Sequence, residues 1–197
     1  TPEGFALSIG KLSESFATTL NAVVTHPQSD SYVRFDGSFQ LTNKVLNGNV
    51  IVDSQKISDF INANFEEAHV PAEYNIPMAL GFDVALDPQK LNLSNIVIKY
   101  GNTQGAGMFE MPLGAINEPE IKTVFNFTDL DLDPLAAVIK KSIEKYEEEG
   151  FIPSFPFELT ADVKAIRASY QGQGMKELET LVTLADETVT VDDFKVI

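Results

Sequence analysis

The sequence predicts a mainly β fold with a few helices. The expected arrangement is α+β: repeated strand-rich units of about 80 residues, each with a helix, forming a curved antiparallel sheet. Three observations predict it. Apolar residues recur at every second position in many short segments, which gives each segment one dry and one wet face. Several of these segments match one another at a nearly constant offset. Two stretches carry apolar residues at helical spacing instead, and one of them opens with Asp133-Pro134, a helix-start pair.

The elements follow in chain order. Segment 12–25 carries two patterns. Leu12, Phe16, Leu20 and Val24 stand four apart, as on a helix, while Phe16, Thr18, Leu20, Ala22 and Val24 alternate. The β-branched Thr18, Thr19, Val23, Val24 and Thr25 favour a strand. Strands are expected near 33–41 and 45–53, with a short helix near 55–65 and a linker over 66–76. The next strands fall near 77–86, 93–100, 105–111 and 121–128. Leu80, Phe82, Val84 and Leu86 alternate in the first of these, and Ile121, Thr123, Phe125 and Phe127 in the last. A helix then runs from the Asp133 cap to about 148 on an apolar stripe of Leu135, Val138, Ile139, Ile143 and Tyr146. Residues 149–154 read as a second linker. Strands near 155–166, 176–184 and 187–196 complete the chain.

The repeat rests on four alignments. Pro77-Met78-Ala79-Leu80-Gly81-Phe82-Asp83-Val84 overlays Pro156-Phe157-Glu158-Leu159-Thr160-Ala161-Asp162-Val163. Gly37-Ser38-Phe39-Gln40-Leu41 resembles Gly107-Met108-Phe109-Glu110-Met111, and Val52-Asp53 matches Leu130-Asp131. Ile57, Phe60, Ile61 and Phe65 fall on Leu135, Val138, Ile139 and Ile143. The expected divisions are a partial first unit over 1–66, a complete middle unit over 67–150 and a partial third over 151–197, in one continuous elongated domain. The last nine residues, Val189 to Ile197, stop within a strand-like pattern, which suggests a fragment of a larger protein.

Composition narrows the function. Hydrophobic residues make up 44% of the 197, enough for a sizeable core, and charged residues 22%, too few for general disorder. A net charge of -15 argues against nucleic acid as a partner and against adsorption to an anionic lipid surface. With no Cys, there is no thiolate nucleophile and no disulfide. No window of apolar residues is long enough to span a bilayer.

The chemistry-bearing motifs are sparse. Asp129, Asp131 and Asp133 alternate like the start of a calcium loop, but Pro134 stands where that loop needs Gly and Lys140 where it needs Glu. They read as a wet strand face running into a helix cap. His26 and His69 are far apart and read as loop residues, not as a metal pair. Gly101-Asn102-Thr103-Gln104-Gly105-Ala106-Gly107 is Gly-rich but flanked by strands, so it reads as a turn and not as a phosphate cradle. No nucleophile elbow or phosphate loop occurs, and no cofactor is implied. The 14 Phe enrich the alternating faces. Such faces form either an ordinary covered core or an apolar groove able to hold acyl chains.

The motif order resembles the AsmA family. Phe82-Asp83-Val84-Ala85-Leu86 is followed by Leu91-Asn92-Leu93-Ser94-Asn95-Ile96, Gly105-Ala106-Gly107 and Leu130-Asp131-Leu132-Asp133-Pro134-Leu135. Phe157-Glu158-Leu159-Thr160-Ala161-Asp162-Val163 then leads to Tyr170-Gln171-Gly172, Met175-Lys176-Glu177-Leu178 and Val189-Thr190-Val191. The likeness covers about residues 35–197. It implies a non-enzymatic periplasmic segment whose parent is anchored in the inner membrane of a Gram-negative bacterium. The implied role is outer-membrane biogenesis and lipid transport through an apolar β-groove. Phospholipid or another envelope lipid is the implied partner, with other envelope proteins as a second class. Phe82, Val84, Ile96, Ile98, Phe125, Phe127, Phe157 and Leu159 are the expected groove residues. The competing expectation is a structural or protein-interaction module of the envelope with no lipid groove, its sheet covered by its helices.

Overall fold

A computed structural model describes residues 4–64, 72–114, 119–137, 140, 157–185 and 188–197. The chain divides into two compact units, Thr1–Gly101 and Asn102–Ile197. The first holds β1 (Gly4–Ile9), β2 (Ala17–His26), β3 (Ser31–Gln40), β4 (Val45–Ser54), the helix α1 (Ile57–Asn64), β5 (Met78–Leu86) and β6 (Lys90–Tyr100). The second holds β7 (Thr103–Pro112), β8 (Glu120–Asp131), β9 (Glu158–Tyr170), β10 (Gln173–Ala185) and β11 (Thr188–Val196).

Within each unit the strands lie side by side in chain order. β1 through β6 form an antiparallel meander. Local chemistry closes its turns. Asp87 Oδ1 accepts hydrogen bonds from Gln89 N at 2.7 Å and Lys90 N at 2.9 Å, which folds the β5–β6 turn. In the second unit, Gln171 and Gly172 have φ of 50° and 74°. Two consecutive positive φ values at a two-residue loop match the twist of an antiparallel hairpin, so Tyr170-Gln171-Gly172 is the β9–β10 turn.

The expected repeated strand-plus-helix units are not what the chain builds, and the sheet is not purely antiparallel. Most of the described residues are strand, and the two helix-bearing connections do different work. Residues 55–77 join β4 to an antiparallel β5, which re-enters the sheet at the end where Ser54 pairs with Met78. Residues 132–157 join β8 to a parallel β9, whose first residue Glu158 lies beside Glu120. A parallel pair requires a long crossover connection, where an antiparallel pair does not. Equal spacing of apolar runs therefore concealed unequal topology, because alternation fixes faces and not pairing.

Other expectations shift by smaller amounts. β1 was not foreseen, although Phe5, Leu7 and Ile9 alternate in it. Segment 17–26 is a strand, as its β-branched residues suggested. Asp133 does not cap the helix. Ala136 N donates to Leu132 O at 2.9 Å, so the cap position is Leu132 and Pro134 is the second helical residue. The Asp133 carboxylate instead accepts from Gln171 N at 2.8 Å, tying the helix start to the β9–β10 turn. The rest of the expected helix to 148 (Lys140 apart) and the linker 149–154 lie outside the described residues, as does His69.

His26 is not a loop residue. It closes β2, is 7% exposed, and its Nδ1 lies 2.7 Å from Ser29 Oγ. Ser29 Oγ donates to Ser31 Oγ at 2.7 Å, and Ser31 Oγ lies 2.5 Å from Ser54 Oγ. Lys56 N donates to Ser54 Oγ at 3.2 Å at the start of α1. The Phe60 ring of α1 meets the His26 ring edge-on at 6.2 Å between centroids. This buried chain fixes α1 against one end of the sheet, and each bond in it contributes about 1 kcal/mol.

Candidate functional site: an apolar sheet face

Strand register assembles the site. Paired residues on adjacent strands share a face. One row across the first unit reads Phe5, Val24, Val33, Val52, Leu80 and Ile98. The next reads Leu7, Ala22, Phe35, Val50 and Phe82, and a third reads Ile9, Leu20, Gly37, Gly48, Val84 and Leu93. None of these residues is charged. The opposite face carries Arg34 paired with Asp36, and Asn49, Asp83 and Lys99.

A bulge keeps the last strand in phase. The register slips between Gly81 and Asp83, and Asn95 of β6 adopts a φ of 50°. Asn95 Nδ2 donates to Asp83 Oδ2 at 2.8 Å, and Asn49 Nδ2 donates to Asp83 Oδ1 at 3.2 Å. These bonds, that from Asn95 first, hold the Asp83 carboxyl below the usual aspartate range. The extra residue returns Ile96 and Ile98 to the apolar face. Thus Phe82, Val84, Ile96 and Ile98 come together on neighbouring strands.

The second unit repeats the design with its own residues. Gly107, Phe125 and Val163 form one row, and Gly105, Phe127, Ala165, Leu178 and Val196 another. Ile121, Leu159 and Leu184 form a third. Phe157 is half-buried just before β9. Bulges act here too: Glu177 and Asp193 have φ of 53° and 51°. Ala165 and Ala168 are both buried although three residues apart, so the inward side slips by one residue between them.

Burial shows that the first unit's face carries no second layer among the described residues, whereas Ile121, Ala165 and Leu178 of the second unit are buried. A six-stranded face sandwiched under another layer would bury most of its side chains. Here Ile96 is the one residue of the first unit's strands among the buried hydrophobics, at 6% exposed. α1 adds Ile57 and Phe60 at one end. Phe5, Leu7 and Ile9 are 65%, 50% and 63% exposed.

Glycines level both faces. A Cβ on Gly48 would stand 2.5 Å from the Phe35 ring, and one on Gly37 would meet the same ring at 2.5 Å. Phe35 therefore lies down over the Gly37–Gly48 pair. Gly105 lies under the Phe127 ring and Gly107 under the Phe125 ring. Those two rings stack at 5.9 Å with planes 19° apart. Reclining aromatic rings over strand glycines restore packing that glycine alone forfeits. Sequence reasoning listed Phe125 and Phe127 but missed Phe35 and the glycines. The available signal was parity, since Phe35, Gly37 and Phe39 share a face, as do Gly105, Gly107 and Phe109.

Polar chemistry gathers elsewhere. Arg167 makes two bonds to Asp129, from Nε at 2.6 Å and from Nη2 at 2.8 Å. Asp131 Oδ1 accepts from Asp133 N at 3.1 Å. The alternating aspartates thus serve three separate structural contacts. A cleft of about 450 Å³ in the second unit is edged by Lys164 and Lys195, but these pair with Glu179 at 3.5 Å and Glu177 at 3.8 Å.

The Arg167 hydrogen bonds hold the Asp129 carboxyl below the usual range. A depressed folded value means this contact's stabilisation is present above the unfolded aspartate value of about 3.9 and is lost as pH falls through the lower folded value. Arg167→Gln is expected to raise the Asp129 titration midpoint toward the ordinary value, read by carboxyl-carbon NMR. An unchanged midpoint would refute the assignment. No family model, curated protein or solved structure matches the chain, so the AsmA resemblance rests on its motifs alone.

Proposed function

We propose that this chain binds the acyl chains of envelope phospholipid along its apolar sheet faces. It would serve as a periplasmic segment of an AsmA-like protein in lipid transport and outer-membrane biogenesis. One observation carries the reading: uncharged apolar rows cross the six strands of the first unit, and among the described residues no second layer buries them. Five strand spacings give a width of about 24 Å. One acyl chain reaches about 15 Å, half of a bilayer's hydrocarbon core. Each CH₂ laid on the face contributes about 0.8 kcal/mol when fully buried. The reading assigns the chain a carrier's role and not an enzyme's.

The exposed edge favours the second reading, a protein-interaction module. All nine residues of β11 are exposed, and such an edge can accept a partner strand. Native mass spectrometry after incubation with uncharged phosphatidylethanolamine–phosphatidylcholine vesicles separates the two. The transport reading expects the protein mass plus one or more intact phospholipids. An apo mass alone would reject it and favour strand pairing.

A further inference from the structure

We infer that the reclining Phe–Gly pairs are specificity determinants of the apolar faces, selecting flexible acyl chains over rigid fused-ring lipids and over protein side chains. This inference rests on the lipid-binding reading proposed above.

The argument starts from surface relief. A helix or strand docking on a protein inserts side-chain knobs into holes, so its binding face needs relief. Here the rings of Phe35, Phe125 and Phe127 fill the places where glycine leaves holes. The same device appears on β3–β4 and on β7–β8, with different residues each time. A level floor suits a ligand without side chains.

Twist then selects among such ligands. Adjacent strands rotate by roughly 20–25°. Across six strands the floor turns by about 100°, at five such steps. A fused-ring lipid presents one rigid plane and cannot follow that rotation. An acyl chain rotates about each C–C bond and can. The faces also lack charge along their central rows, so nothing there would hold a polar ring substituent.

Gly105 offers the cleanest test. All three nearest atoms to a Cβ built there belong to the Phe127 ring, whereas Gly37, Gly48 and Gly107 also meet backbone. Gly105→Ala should therefore lift the Phe127 ring off β7 into the face and leave the backbone in place. The probe is phosphatidylcholine vesicles doped with a phosphatidylethanolamine bearing a diazirine on its palmitoyl chain. The readout is crosslink yield by intact mass, with a diazirine sterol in parallel vesicles. Wild type is expected to label with the acyl probe at least fivefold more than with the sterol. Gly105→Ala should cut acyl labelling severalfold, and Gly105→Ala/Phe127→Ala should restore it. Equal acyl and sterol labelling would overturn the selectivity. An unchanged G105A, or a loss that Phe127→Ala does not restore, would overturn the role of the pair. Absence of all labelling in wild type would instead remove the lipid reading itself, and this inference with it. Circular dichroism and thermal melting confirm that each variant is folded.

Discussion

Phe82→Glu is expected to reduce bound phospholipid at least tenfold at pH 7. Phe82 sits mid-row beside Val50, with Phe35 and Ala22 beyond. An acyl chain crossing that row would have to strip water from an ionised carboxylate. Desolvating such a charge without a partner costs several kcal/mol, and a tenfold loss needs only about 1.4 kcal/mol. The effect has a pH signature. Apolar contact raises a carboxyl's pKa, so binding should recover as pH falls and the introduced glutamate becomes neutral. Ile51→Glu supplies the control. Ile51 is 38% exposed on the opposite face, one residue from Val50, and its variant should bind as wild type does. Equal losses in the two variants would show that added charge, not its face, is responsible.

Gly48→Val should destabilise the first unit by about 3 kcal/mol, the upper range for overpacking. A Cβ there would stand 2.5 and 2.6 Å from Phe35 ring carbons and 2.7 Å from Asp36 O. The ring can swing away, but the carbonyl belongs to the β3–β4 pairing and cannot. At about 2–4 °C per kcal/mol, Tm should fall by about 6–12 °C. Gly174 is the contrast, since a Cβ on it meets nothing within 4 Å. Gly174→Ala should be neutral or stabilise by up to about 1 kcal/mol through the unfolded chain. Thermal melts of both variants check the pair of outcomes. Equal Tm values would mean that the close packing at Gly48 is not a source of stability.

Much of the fold was legible because alternation is local. Leu80, Phe82, Val84 and Leu86 show their common face in the sequence, and β5 carries them there. Bulges were not legible. Asn95, Glu177 and Asp193 each shift a strand by one residue, and no composition cue separates them from ordinary strand residues. Topology was hidden for a different reason. The connections 55–77 and 132–157 both carry helical spacing, yet one returns antiparallel and the other parallel. Direction depends on where the chain re-enters the sheet, which spacing does not encode.

The candidate site divides the same way. Phe82, Val84, Phe125, Phe127 and Leu159 were found by parity, and register places each beside apolar partners. Whether a face is covered depends on what the rest of the chain packs against, so alternation could not distinguish a core from a groove. The Phe–Gly floors needed three-dimensional contacts. Gly37 and Gly48 become neighbours only through the β3–β4 register. His26 shows the limit for polar residues. Its burial comes from Phe60 and Ser29, one of which lies 34 positions away in the chain.

Site-specific photocrosslinking along β5 tests the central claim most directly. A benzoyl-phenylalanine would replace, one at a time, each residue from Ala79 to Ala85, and labelled phospholipid would be scored by intact mass. The account predicts crosslinks with period two. Leu80, Phe82 and Val84 should label, while Ala79, Gly81, Asp83 and Ala85 should not. Uniform labelling, labelling of the Asp83 face, or no labelling at any position in a folded protein would contradict it.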